Sequence, residues 1–141
     1  MFVLDASVAA KWFNNEIFTD KAIELRDSFA EGKVQLYAPK HLLYEVGNAI
    51  WKNRRLSTDD SRRAIVDILS MEIDLVRLDS NLASEAMKVA RELDVSYYDA
   101  LYIQLSNHLN IPLLSADGKL LLKAKKNNSL HLKDFHLEAK R

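Results

Sequence analysis

The sequence predicts a single α/β domain, a parallel sheet covered on both faces by helices. Short apolar runs alternate regularly with longer segments of helical periodicity, the order that a parallel sheet needs. With 141 residues, only three Gly and two Pro, and 48% hydrophobic against 28% charged residues, the chain is long enough to bury a core. No linker or repeat divides it.

The elements follow in order. Residues 2 to 5 form the first strand, and Ser7 to Phe13 with Thr19 to Glu31 are helical, the second helix stopping at Gly32. A strand from Val34 to Tyr37 leads to Pro39. From Lys40 to Arg55, Leu42, Leu43, Val46, Ala49 and Ile50 recur at helical spacing, with Glu45 and Asn48 on the edge of that stripe. Ser57 opens the next helix, and Asp59 and Asp60 in its first turn complement the helix dipole. Leu75 to Leu78 is a third strand. A helix runs from Asp79 or Ser80 through Leu93, and another from about Tyr98 to Leu109. Pro112 to Ser115 makes a short buried strand, Asp117 starts a helix to about Lys126, and residues 130 to 134 form a last strand. Glu138 to Arg141 read as a charged, mobile end.

Composition narrows the function classes. Twenty basic residues cancel twenty acidic ones, so the whole chain exerts no general attraction on nucleic acid and any phosphate contact must be local. Cysteine is absent, which removes disulfides and thiolate metal sites and suits a reducing compartment. The first residues carry neither a basic leader with a long apolar stretch nor a membrane span, so a cytoplasmic protein is expected. His41, His108, His131 and His136 lack the pairing of a zinc site, and Ser7 and Ser115 lack the turn of a serine nucleophile.

Four carboxylates stand where apolar elements meet polar sequence: Asp5 in FVLDAS, Glu45 in LLYEVGNAI, Asp99 in SYYDALYIQLS and Asp117 in LLSADGKLLLKA. Asp5 and Asp117 lie at strand ends, where ligands of parallel sheets collect, although Asp in that place also caps helices. Glu45 and Asp99 are harder to explain as caps or solvated groups, because their turn neighbours are apolar. Like charges about 4 Å apart repel by roughly 4 kcal/mol at an effective dielectric near 20, so a cluster of such acids calls for a cation. Oxygen ligands alone point to a hard ion, Mg²⁺ or Mn²⁺.

The run Val3-Leu4-Asp5-Ala6-Ser7 with Lys11-Trp12 resembles the opening of the PIN domain family, specifically VapC-type toxin ribonucleases. Glu45-Val46-Gly47-Asn48-Ala49 resembles that family's acidic helix, Tyr98-Asp99-Ala100-Leu101-Tyr102 its tyrosine-aspartate-alanine motif, and Ser115-Ala116-Asp117 its final turn. All four occur in family order, from residue 2 to about 126. The resemblance implies a PIN-like three-layer sandwich with a parallel sheet of about five strands. It also implies Mg²⁺- or Mn²⁺-dependent endonucleolytic cleavage of single-stranded RNA, leaving a 5′-phosphate and a 3′-hydroxyl.

By position, Asp5, Asp99 and Asp117 become metal ligands, with Glu45 orienting or deprotonating the attacking water, and these roles are interchangeable on the sequence. Ser7, Asn48 and Ser115 become the polar neighbours that orient them. Many family members carry a further acid after the last aspartate, where this chain has Gly118 and Lys119. One protein-held ion is therefore expected and a second is left open.

An acidic centre also needs a positive rim to accept a polyanion, and Lys11, Lys52, Arg54 and Arg55 are the candidates. A surface role competes for Lys11, and core or partner packing competes with base stacking for Trp12, Tyr44 and Trp51. The resemblance further implies an antitoxin partner and a homodimer. Other readings stay open: a PIN nuclease of RNA maturation, a catalytically silent RNA- or protein-binding module, and, more weakly, a receiver-like domain with Asp5 as phosphoacceptor.

Overall fold

The structure, a computed structural model, describes residues 1–124 and 128–137. Five strands, β1 (Phe2–Leu4), β2 (Leu36–Pro39), β3 (Asp74–Val76), β4 (Leu113–Ser115) and β5 (Ser129–His131), form one sheet in the order β3-β2-β1-β4-β5. Every pairing is parallel, with Val3 opposite both Tyr37 and Leu113. Val3, Leu4, Leu113 and Leu114 are fully buried, as central strands covered on two faces must be.

The helices are α1 (Ala6–Ala9), α2 (Thr19–Ala30), α3 (Leu42–Lys52), α4 (Thr58–Ser70), α5 (Ser80–Leu93), α6 (Tyr97–Leu109) and α7 (Gly118–Lys123). Chain progression moves outward from β1 to β3, then returns to β4 on the other side of β1. With right-handed crossovers, the helices before β3 cover one face and those after it the other. Packing agrees: α3 rests on α1 and α4, whereas α5 packs on α6, which lies across β1, β2 and β4. α6 is buried on several sides through Ala100, Leu101, Tyr102, Ile103 and Leu105. The point at which strand order reverses lies at β1 and β4, and the cleft outside their carboxyl ends is where this architecture places ligands.

The expected three-layer α/β fold is the observed one, with local shifts in element limits. The segment Ser7 to Phe13 divides into α1 and a 3-10 turn, Ala10–Trp12. β2 lies two residues later than expected, running to Pro39, because its register is set by pairing with both β1 and β3. The stretch 130 to 134 splits into β5 and a 3-10 turn, Leu132–Asp134. α7 is described to Lys123; the expected continuation through Lys125 and Lys126 and the tail Glu138 to Arg141 lie outside the described residues.

Helix ends follow their chemistry. Ser57, Asp79 and Ser96 cap α4, α5 and α6 by accepting the backbone N–H of Asp60, Leu82 and Asp99. After α2, Gly32 takes φ +72°, the left-handed conformation that costs glycine least.

Candidate active site

Asp5 ends β1 and occupies the position before α1, but its side chain caps nothing. Instead it accepts hydrogen bonds from Ser7 Oγ at 2.7 Å and Ser115 Oγ at 2.6 Å, both on Oδ2. The serines are themselves held, because Ser7 Oγ accepts from Ala116 N–H and Ser115 Oγ from Asp117 N–H. This network ties the ends of β1 and β4 together. Asp5 is only 4% exposed, and burial pushes its carboxyl from 3.8 up to about 6. The two serine hydrogen bonds pull it down, and the charges of Asp99 and Glu45 push it up.

Asp99 lies in the first turn of α6, just after the Ser96 cap. Burial raises its carboxyl first, then the charges of Glu45 and Asp117, while Ser96 and His41 lower it. Asp99 is thus raised by Glu45 and Asp117 and in turn raises Asp5, which links it to all three other acids. Glu45 reaches the same cleft from α3 and is partly exposed. Asp117 combines two roles that sequence presents as rivals. Its Oδ1 caps α7 by accepting the N–H of Lys119 and Leu120, and its side chain lines the cleft.

The cleft, of about 1120 Å³, is lined by all four acids together with Ser7, Asn48, Lys11, Lys52 and Lys119. Ser115 stands beneath it, fully buried. Lys11 is buried rather than snorkelling over the surface, with Nζ 3.0 Å from Glu16 Oε2. Its neighbour Trp12 is anchored in the core by Nε1–H donating to the Ala22 carbonyl, which fixes the turn that aims Lys11.

A second groove, of about 500 Å³, adjoins the first through Glu16, Ala49 and Lys52 and contains Arg55. Its wall is braced by Asn53 Nδ2 donating to Asn14 Oδ1 at 2.8 Å. Arg54 stands apart from both: its guanidinium covers the ring of Trp51, 5.1 Å from the centroid, in a third groove. Of the aromatics, Trp12 is core, whereas Tyr44 and Trp51 are 80% and 61% exposed, Trp51 with Arg54 over its ring.

Four residues at or beside the site received no role there from the sequence: Glu16, which it did not single out, and Lys119, His41 and Tyr102, which it noted for other reasons. Glu16 and Lys119 line the cleft from loop and helix-start positions whose direction no periodicity reveals. His41 and Tyr102 lie beneath Glu45; the one available signal was the i, i+4 spacing of His41 and Glu45.

The donors present fit a hard divalent ion. The hydrogen bonds drawn by Asp5 fall on Oδ2 and those drawn by Asp117 on Oδ1, so among the described residues one oxygen of each accepts none. The charge repulsion that raises Asp5, from Asp99 and Glu45, and Asp99, from Glu45 and Asp117, is what a cation relieves. Among the described residues no group of three or more His, Asp or Glu side chains is gathered closely enough to hold an ion as the side chains stand.

Comparison with known proteins agrees with this fold. A family model described as the PIN domain matches residues 2–126. Exonuclease VapC9 of Pyrobaculum aerophilum is 31% identical over 83 residues, covering 59% of this chain. The chain matches 62% of the length of that relative. Among solved structures, PAE2754 from Pyrobaculum aerophilum superposes with a TM-score of 0.67 at 25% identity, over 94% of this chain and 89% of that one. VapC20 of Mycobacterium tuberculosis, a sarcin-ricin loop cleaving toxin, superposes with a TM-score of 0.69 over 86% and 94%, and at 19% identity it speaks for the fold. Four acids in order along the chain, gathered over the switch point of a five-stranded parallel sheet and matched by that family model over 125 residues, make this chain a member of the PIN domain family.

Proposed function

We propose that the protein is a metal-dependent endoribonuclease that hydrolyses phosphodiester bonds of single-stranded RNA, the toxin of a toxin–antitoxin pair acting in the cytoplasm. The observation that carries the reading is the convergence of Asp5, Glu45, Asp99 and Asp117 from four separate segments on one cleft edged by Lys11, Lys52 and Lys119. Maintaining four acids side by side is costly unless a cation joins them, and lysines beside such a centre suit a substrate that is itself an anion.

In this reading Asp5, Asp99 and Asp117 hold one Mg²⁺ or Mn²⁺ ion, directly or through water. A bound divalent ion supplies Lewis acidity at the phosphoryl oxygen and an acidified water. The side chains supply the rest. Ser7 and Ser115 hold Asp5 by one oxygen and so aim the other at the cleft. Glu45 receives the proton of the attacking water. Asn48 lies one turn along α3 from Glu45 and lines the cleft, where it orients either the carboxylate or that water. Lys119 occupies the place where a further acid would recruit a second ion, and its charge is suited to the phosphate instead.

The backbone of the RNA runs from the acids past Lys52 into the adjoining groove, towards Arg55. Endonucleolytic cleavage is what the family resemblance implies, although the related VapC9 is named an exonuclease. Tyr44 and Trp51 on α3 and Val66 and Leu69 on α4 are exposed large apolar residues, surface suited to an antitoxin or to a second copy of the chain.

The test is cleavage of linear and circular single-stranded RNA with Mg²⁺ or Mn²⁺ by wild type, Asp5→Asn and Asp99→Asn. Linearisation of the circle by wild type alone supports the reading. Equal cleavage by all three proteins rejects the site, and digestion of linear RNA with the circle intact replaces endonuclease by exonuclease.

A further inference from the structure

Three buried polar atoms make no hydrogen bond among the described residues: His41 Nε2, Glu45 Oε1 and Tyr102 Oη. Native proteins pair nearly all such atoms, and the exceptions gather where function sets the geometry. These three adjoin one another below the acidic cleft. His41 Nε2 stands 2.9 Å from Glu45 Oε1, a contact distance at which the ring N–H is out of line for a hydrogen bond. The His41 side chain is 10% exposed and Tyr102 is fully buried.

Local structure explains why they meet. His41 precedes α3 without capping it, so its ring is free to lie over the first turn, where Glu45 is four residues on. On α6, Tyr102 follows Asp99 by three residues, one turn deeper than the acid. The His41 ring rests against Tyr102, with centroids 4.6 Å apart, and against Tyr98 at 5.4 Å. Two aromatic rings of α6 thus fix the imidazole that precedes α3. Burial, and then the charges of Asp5 and Glu45, keep the Tyr102 phenol protonated, so it always offers a proton to a carboxylate.

We propose that His41, backed by Tyr102, is a positioning residue that grips Glu45 through its buried Oε1 and thereby commits Oε2 to the cleft. Resting on the nuclease reading for its catalytic consequence, the grip explains how a flexible glutamate on a helix surface is aimed at an attacking water. A carboxylate held by one oxygen presents the other along a fixed direction. In the resting protein the grip is a close contact of ring nitrogen and carboxylate oxygen, 2.9 Å apart. Positioning of this kind acts on the chemical step rather than on RNA binding.

Steady-state kinetics with an RNA substrate test it, using His41→Phe, which keeps the stacked ring without the donor, and His41→Gln, which keeps a donor. His41→Phe is expected to lower kcat about 10-fold with KM within about twofold, and His41→Gln to recover most of that loss. Combined with Glu45→Gln, His41→Phe adds no further loss, because the group it positions is already disabled. Unchanged kcat in His41→Phe, or losses that multiply with those of Glu45→Gln, overturn the proposal.

The ¹⁵N shifts of the His41 ring provide a readout independent of cleavage. They change between wild type and Glu45→Gln at one pH if the grip exists, and stay the same if it does not. A wild type that cleaves no RNA yet shows this change removes the nuclease reading and leaves the grip standing.

Discussion

Replacing Asp5 by Asn separates the cost of the acidic site from its use. In the metal-free protein the Asp5 carboxyl is pushed from 3.8 to about 6, chiefly by burial, so its ionised form opposes folding. A folded-state value above the unfolded one means that the stability contributed by the protonated group is complete below about 4 and lost as pH rises through about 6. At 1.36 kcal/mol per pH unit, the interval from 3.8 to about 6 corresponds to about 3 kcal/mol at pH 7.5. The amide of Asn has nearly the shape of the carboxylate, and its oxygen still accepts from Ser7 and Ser115, so little else is lost.

Asp5→Asn should therefore raise Tm at pH 7.5 in EDTA by about 5 to 9 °C, taking about 3 °C per kcal/mol for this chain length. The gain should shrink as pH falls through 6 and vanish near 4. Adding Mg²⁺ or Mn²⁺ should reverse the ranking, since an ion at about 1,000 times its Kd stabilises only a protein that binds it, by about 4.1 kcal/mol. Differential scanning fluorimetry across pH, with and without the ion, makes the measurement. An Asp5→Asn protein no more stable than wild type at pH 7.5 in EDTA, or a gain that persists at pH 4, would refute the reasoning.

The remaining predictions concern activity and binding. Asp99→Asn should cost about 10² to 10³ in RNA cleavage rate while raising metal-free stability at neutral pH, the same sign as Asp5→Asn, because its carboxyl is also held up by burial and neighbouring charge. Asp117→Ala should lose activity and, in addition, about 1 kcal/mol of stability, because the cap of α7 goes with it; urea denaturation measures the second effect. Lys52→Ala and Arg55→Ala should weaken binding of single-stranded RNA and each reduce the slope of log affinity against log salt by somewhat under one. Arg54→Ala should do less, because its guanidinium rests on Trp51 outside both joined grooves; fluorescence anisotropy at several salt concentrations compares the three.

Much of the fold was legible because parallel α/β order is written locally. The stripe Leu42, Val46 and Ile50 is buried at the spacing its periodicity demands, and the caps Ser57 and Asp79 start the helices they announce. Strand limits were less legible. β2 is shifted to Leu36–Pro39 because partners on both sides set its register, and neither partner is near it in sequence. The rivalry between cap and site at Asp5 and Asp117 also needed coordinates. Both precede a helix, yet only Asp117 caps, because Ser7 and Ser115 claim Asp5 first.

By itself the sequence determined the alternation of strands and helices, the absence of cysteine chemistry, and the identity and order of the four acids. Each of these is a property of neighbouring residues. Tertiary structure alone decided that α3, α6 and the ends of β1 and β4 meet over one cleft, that Lys11 is buried beside Glu16, and that Arg54 turns away to Trp51. It likewise brought His41 against both Glu45 and Tyr102, joining the residue before α3 to the interior of α6. The physical reason is that periodicity records which face of an element is apolar, whereas the direction and company of a polar side chain depend on strand order and helix packing.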